Sequence, residues 1–356
     1  MAKTTAQEYR ETVAQVLIDA LEQGVAPWQM PWDPTMGLPH NPVSALRNDT
    51  NGKYRGGNTL YLQVLQSMKK YNDPRWVTFN QAVHMRYGSM TPLTDAEFER
   101  NKKLSWNDPN RIRTWQVRKG ERGTLIEKWG THTKTVEGPD GEEERSRMFF
   151  RPYIVFNASQ IDGVPPYEPP ALKYSADERY RRVEKLIERA GVKLEIGAEA
   201  YYTPATDTIT MPPRHSFRDM DSYFNTLLHE TAHWTGHATR LNRDFGKAFR
   251  HNEHRAAEEL RAEIGSMLLS HETGIPHDVK RHAAYVGSWL RELRDDPNEI
   301  FAATRDAHAI TDFVMAFELK LELGELGEQK LAAPTLTEPA AESLALRKPA
   351  GFRLGV

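Results

Sequence analysis

Residues 225–243 read NTLLHETAHWTGHATRLNR, with His229 and His233 four positions apart and Glu230 between them. On an α-helix, residues i and i+4 lie on one face one turn apart, so two imidazoles can meet a single ion; in a strand they would stand about 13 Å apart. The apolar residues Tyr223, Phe224, Leu227, Leu228 and Ala232 supply a helix face and Gly236 a stop, which predicts a buried helix over about 219–236. Glu230 then sits beside the ion without binding it. A carboxylate there can accept a proton from water whose pKa a metal has lowered, as in a metallohydrolase.

A metal centre needs a third ligand. The chain has no cysteine, so zinc would be held by histidine and carboxylate alone. The long metalloprotease motif would place histidine at 239, where Thr239 stands. Downstream, RAAEELRAEIGSML forms a helix with Glu259 and Glu263 four apart, one able to ligate and the other to hold a ligand imidazole from behind. Glu258 competes for the same role, because neighbouring positions differ by about 100° of rotation and the phase is open. His251 and His254 are further candidates. Upstream, DTITMPP reads as a short edge strand beside the motif helix, where an extended peptide could pair by strand addition.

A chain of 356 residues with 39% apolar and 27% charged content is long enough for two domains, each with its own core. No run of eighteen apolar residues occurs and MAKTTAQEYRETVAQ lacks an apolar block after its charges, so a soluble, cytoplasmic protein with no membrane segment is expected. The expected fold is α+β: a first domain over 1–163, a proline-rich linker over 164–175, a second domain over 176–320 and a mobile tail over 321–356. In the first domain we expect helices at 6–24, from Asn58 and over WVTFNQAVHMRYGS, two strands around a Gly120 to Gly123 turn, and a third at 147–161. The second should hold a helix at 176–191, two short strands within LEIGAEAYYTPATDTITMPP, and helices at about 219–236, 252–270, 277–293 and 299–320.

The net charge of −2 conceals an uneven chain: Arg47 to Lys128 carries sixteen Lys and Arg against eight Asp and Glu, +8, leaving −10 elsewhere. Aromatic and basic residues alternate in GKYRGGN, DPRWVTF, RTWQVRKGERG and EKWG. Single-stranded DNA is bound by such mixtures, since cations track phosphates while rings stack on unpaired bases. On this pattern Lys53, Arg55, Arg118, Lys119 and Arg122 would neutralise phosphate, and Tyr54, Trp76 and Trp115 would stack.

The segments YRETVAQVLIDALEQGVAPWQMPW, NGKYRGGNTLYL, WVTFNQA, VRKGERGT and YIVFNASQIDG, followed by YYTPATDTITMP, YFNTLLHETAHWTGHATRLNR, AAEELRAEIGSMLL and AAYVGSWL, resemble the ArdC family of plasmid and phage antirestriction proteins from about residue 7 to 315. This resemblance implies an N-terminal domain that binds single-stranded DNA with little sequence preference and a zincin-like zinc metallopeptidase domain. It also implies protection of DNA entering by plasmid conjugation or from phage. Carried over, His229, His233 and Glu259 are the metal ligands, Glu230 the catalytic glutamate and Tyr285 a residue near the site, which leaves Glu263 as the outer partner of the spacing argument. MTPLTDAEFERNKKLSWNDPNRIR, 90–113, departs from the family as an insertion. Two alternatives stay open: a DNA-dependent zinc metalloprotease cutting restriction subunits or other host proteins on the DNA, and a DNA-binding protein with a purely structural zinc.

Overall fold

The computed structural model describes residues 5–26, 28, 37–46, 52–138, 141–169, 171, 173–243, 252–277 and 286–324; His251, Tyr285 and the tail beyond 324 lie outside them, as does the side chain of His254. The first helix, α1 (Ala6–Glu22), starts at Thr5, whose hydroxyl accepts from the Glu8 amide while the Glu8 carboxylate accepts from the Thr5 amide. Its stripe of Tyr9, Val13, Leu17 and Leu21 is buried. A one-turn α2 (Pro42–Ala45) and α3 (Gly57–Met68) follow.

WVTFNQA was expected to be helical; instead β1 (Trp76–Thr78) gives way to the single turn α4 (Phe79–Ala82), capped reciprocally by Thr78 and Gln81. Trp76 and Val77 pair with a distant strand, and that pairing overrides the local helical spacing. The 90–113 insertion folds as α5 (Asp95–Lys103), tied down by Asn101, whose side chain donates to the Ile112 carbonyl at 2.8 Å and accepts from its amide at 3.0 Å. The two strands expected around the glycine turn both exist, but they do not pair with each other. β2 (Gln116–Val117) pairs with β5 (Ile161–Asp162), whereas β3 (Thr124–Gly138) pairs antiparallel with β4 (Gly141–Asn157) in a long hairpin joined by β1 in the order β1-β4-β3.

In the second half α6 (Ala176–Ala190) ends at Gly191 with φ +73°, a left-handed cap. LEIGAEAYYTPATDTITMPP holds three strands rather than two: β6 (Lys193–Ile196), β7 (Tyr201–Thr203) and β8 (Thr208–Met211), in the order β6-β8-β7 with β6 parallel to β8. The DTITMPP strand is therefore central, a correction to its expected edge position. A parallel neighbour leaves no turn signal in the sequence, so β6 was not separable by pattern. The helices α7 (Met220–Trp234), α8 (Asn252–Thr273), α9 (Val286–Asp295) and α10 (Glu299–Gly324) complete the described chain, the last running past the expected start of the tail.

Each half buries a core of its own, Val77, Met85 and Trp115 with Leu62 and Trp76 in the first and Leu186, Ile209, Phe224 and Leu228 in the second, and a further core is shared between them. The stripe of α1, with Trp28 and Leu60, packs on Leu260, Ile264 and Met267 of α8, Trp289 of α9, and Ile300 and Phe301 of α10. The proline-rich segment is likewise anchored: Arg75 donates to the Pro165 carbonyl at 2.7 Å and lies over the Tyr167 ring. Among the described residues no helix is long and apolar enough to cross a membrane.

Candidate metal centre

Asp219 starts α7 by accepting from the Ser222 amide at 2.8 Å; the Ser222 hydroxyl first and then this amide, with help from Arg218, hold its carboxyl down at about 2. Tyr223, Phe224, Leu227, Leu228 and Ala232 are buried, and the Tyr180 ring of α6 stacks on Phe224 with centroids 4.8 Å apart. α8 crosses α7 at Gly265, where a Cβ would stand 3.2 Å from Ile310 and 3.5 Å from Ala232. That close approach brings carboxylates of α8 over the two histidines.

His229 Nε2 and His233 Nε2 are 3.2 Å apart, and Glu259 Oε2 lies 3.6 Å from each. Ligands about 2.0–2.1 Å from a tetrahedral zinc stand about 3.3 Å from one another, so this triangle has the right edge for one ion. Among the described residues, these three are the group of His, Asp and Glu able to hold a metal. Their side chains are 13–17% exposed, which leaves room for a further ligand from solution.

A different carboxylate stands behind each imidazole. His233 Nδ1 is hydrogen-bonded to Glu258 Oε1 at 3.1 Å, whereas Glu263 Oε1 lies 3.5 Å from His229 Nδ1, close enough for charge pairing but not hydrogen-bonded to it. A hydrogen bond of the kind Glu258 makes fixes the tautomer, leaving the His233 Nε2 available to a metal. The phase left open by spacing is thus resolved: Glu259 faces both Nε2 atoms, whereas its neighbour Glu258 turns to the far side of His233.

Glu258 is itself clamped by Arg243, whose Nε and Nη2 donate to its two oxygens at 3.0 and 2.9 Å. The same guanidinium donates to the Ala232 carbonyl at 2.7 Å and the Thr235 hydroxyl at 2.9 Å, closing the C-terminus of α7. Arg243 escaped the sequence reading. The available signal was a cation shortly after a helix stop, which marks a C-terminal partner without saying that it reaches a second helix.

The charges are mutually dependent. Burial pulls His233 down, but Glu258 and Glu259 outweigh it and raise it well above its ordinary value; Glu263 and Glu259 do the same for His229 against the same opposition. Burial pushes Glu258 and Glu259 up, yet Arg243 and His233 hold Glu258, and His229 and His233 hold Glu259, below the ordinary carboxylate range. Glu230 is 7% exposed and its charge acts on His229.

The residues expected to contact DNA are dispersed. Trp76 and Trp115 are fully buried, so they cannot stack on bases; Trp76 closes the core under the β-sheet, and Trp115 donates its indole N–H to the Ser89 carbonyl at 3.1 Å. Tyr54 is bound through its hydroxyl to the Trp76 carbonyl at 3.0 Å, and burial pushes that hydroxyl far up. Lys53 pairs with Glu272 at 2.5 Å and Arg55 with Asp312, both across to the second half. Arg118 is held by Glu121, Asp162 and the Ser159 carbonyl, whereas Lys119 and Arg122 are exposed at the β2–β3 turn. Aromatic-basic alternation reports burial and ion pairing here, because an isolated strand sequence does not say which face its rings occupy.

Residues 7–156 match the N-terminal domain of the anti-restriction factor ArdC, and residues 181–306 match a zincin-like metallopeptidase family. A protein named DNA primase TraC from Escherichia coli is 41% identical over 88% of this chain, and another of that name is 38% identical. The chain spans only 27% and 20% of their respective lengths. An uncharacterized protein from Sinorhizobium fredii is 32% identical, the match covering 90% of this chain and 96% of that one. The crystal structure of metal-free ArdC from plasmid R388 aligns with a TM-score of 0.63 at 32% identity, covering 87% of this chain and 98% of that one. The Mn(II)-bound structure of the same protein aligns with a TM-score of 0.62. With an ArdC N-terminal domain, a zincin-like second domain and similarity along nearly the whole of a solved ArdC, this chain belongs to the ArdC antirestriction family.

Proposed function

We propose that this protein binds single-stranded DNA through its N-terminal half, with little preference for sequence, and shields DNA arriving by conjugation or from phage against host restriction. In the second half, His229, His233 and Glu259 hold one divalent metal, zinc, with Glu258 and Glu263 behind the imidazoles. The observation that carries this reading is the triangle of ligand atoms, 3.2 to 3.6 Å on each edge, within a chain similar to ArdC over 98% of that protein.

A second reading, a DNA-dependent protease acting on restriction subunits or other proteins on the incoming strand, is favoured by the three-ligand site with buried Glu230 next to His229. When bound, such a metal supplies Lewis acidity toward a peptide carbonyl and water. The chain's own part is then Glu230, which takes the water proton at its carboxylate and passes it to the leaving amine. Edge strands β6 and β7 offer backbone pairing to an extended peptide.

The test is survival of unmodified incoming DNA in a restricting host, comparing wild type and Glu230→Ala at matched expression. Full protection by the variant places the function in DNA binding, with the metal as a scaffold. Lost protection, with metal content and DNA affinity unchanged, assigns it to hydrolysis. No protection by the wild type would overturn the antirestriction reading itself.

A further inference from the structure

We infer that single-stranded DNA lies along one face of the β3–β4 hairpin, with Lys128 and Arg151 meeting phosphates, Phe149 stacking on a base, and the strand register continuing the same face through the positions of Arg147, Lys134 and Arg145. This rests on the reading of the protein as a single-strand binder and locates the surface responsible. Directly opposed residues of an antiparallel pair share a face. The register sets Lys128 against Arg151, Gly130 against Phe149, His132 against Arg147 and Lys134 against Arg145, four successive rungs of one face spaced about 7 Å apart. The alternate rungs hold Glu127 with Pro152, Trp129 with Phe150, Thr131 with Met148, Thr133 with Ser146, Thr135 with Glu144 and Glu137 with Glu142. Every Lys and Arg of the hairpin falls on the first face, and four of its five acids fall on the second, the exception being Glu143 near the tip.

The two faces also meet different surroundings. At its base the basic face closes the core, with Ile126 and Val155 packed beside Leu62 and Trp76. One rung further it leaves the body: Lys128 and Arg151 are exposed, and Phe149 is 41% exposed. On the other face Trp129 packs edge-on against Phe150, the Arg10 guanidinium of α1 lies 5.3 Å from the Trp129 ring, and Phe150 reaches Tyr9. The outer surface is therefore the basic one.

Like charges directly opposite one another disfavour a strand pair. Lys128 with Arg151 and Lys134 with Arg145 are two such rungs, and a polyanion laid across them relieves the repulsion. Among the described residues no carboxylate pairs with Lys128 or Arg151, in contrast to Lys53, Arg55 and Arg118, whose charges are already matched. The Phe149 ring covers Gly130, where a Cβ would come within 2.4 Å of it, and the Arg151 guanidinium lies 5.7 Å from its centroid. An exposed ring flanked by cations is the arrangement that stacks unpaired bases.

The test is fluorescence anisotropy of a labelled thymidine oligonucleotide across a salt series. Replacing the five basic residues of this face, Lys128, Lys134, Arg145, Arg147 and Arg151, by Gln should raise Kd and flatten the slope of log K against log salt by about 3.5, at about 0.7 for each phosphate no longer neutralised; Lys134→Gln with Arg145→Gln alone should flatten it by about 1.4. Phe149→Ala should weaken binding about tenfold with the slope unchanged. Thr133→Ala with Ser146→Ala, on the opposite face, should change neither quantity. Unchanged affinity and slope in the five-residue variant, with metal content and Tm intact, overturn the assignment, and loss on Lys119→Gln with Arg122→Gln instead moves the track to the β2–β3 turn. A wild type that binds no single strand removes the underlying reading as well.

Discussion

The metal pocket and the β3–β4 hairpin concentrate charge in opposite ways. In the pocket, six ionisable side chains from α7, α8 and the turn after α7 neutralise one another: Arg243 holds Glu258, Glu258 holds His233, Glu263 lies behind His229, and Glu259 faces both imidazoles. On the outer hairpin face, the pairing of the strands sets cations opposite cations, Lys128 with Arg151 and Lys134 with Arg145. The first region has the fixed ligands that a point charge needs; the second has the spaced positive charge that an extended anion needs. A third set of charges, Lys53 with Glu272 and Arg55 with Asp312, joins the two halves and belongs to neither site.

This contrast breaks first at the aromatic residues. Trp76→Ala removes a fully buried ring and should cost about 3–5 kcal/mol of stability, read by denaturant unfolding. A Trp76→Ala protein of unchanged stability and lowered DNA affinity would return Trp76 to the binding surface.

Next in size is Arg243→Met. It strands the Glu258 carboxylate in a mostly buried site, so about 3 kcal/mol of stability should be lost. Metal affinity should fall by about ten- to a hundredfold, as when outer partners are removed, with single-strand affinity unchanged. Isothermal titration with zinc and anisotropy with DNA separate the two outcomes. A fall in both would show that the regions are coupled.

The junction between the halves should respond to acid. Burial, aided by Lys53, pushes His271 down to about 3, and its Nε2 accepts from the Leu38 amide at 3.0 Å. Burial and Arg55 push His308 down to about 4. Both folded values lie below the unfolded value near 6.5, so the stabilisation is complete above about pH 6.5 and is lost as pH falls toward the folded values. At pH 5 the loss is roughly 2 kcal/mol for His271 and somewhat less for the half-buried His308. In denaturant titrations of metal-free protein, His271→Gln should flatten the fall in stability between pH 6.5 and 5; an unaltered profile would remove His271 as its cause. The smallest effect is that of Arg55→Ala, an exposed pair with Asp312, at under about 1 kcal/mol and with no change in DNA affinity.

The legible part of the sequence was the part in which chemistry and local geometry share a period. His229, Glu230 and His233 are fixed by one turn of helix, and Glu259 and Glu263 by the next helix but for its phase. Arg243, Glu258 and the two-sided hairpin depend on which segments meet. α8 approaches α7 closely at Gly265, and β3 must pair with β4 in one register before Lys134 and Arg145 become neighbours. Aromatic residues misled for the same reason. The alternation in DPRWVTF and RTWQVRKGERG is real, but β1 and the segment before β2 turn Trp76 and Trp115 into the core.

The assignment of Glu259 as ligand and Glu258 as the partner behind His233 is the most exposed point of this account, since the two residues are adjacent and both acidic. The direct measurement is zinc stoichiometry and affinity for wild type, Glu259→Gln and Glu258→Gln, each checked for an intact fold by its Tm. One zinc per wild-type chain is predicted, with binding lost in Glu259→Gln and weakened by about ten- to a hundredfold in Glu258→Gln. Full affinity in Glu259→Gln, with binding abolished in Glu258→Gln, would contradict the site as described.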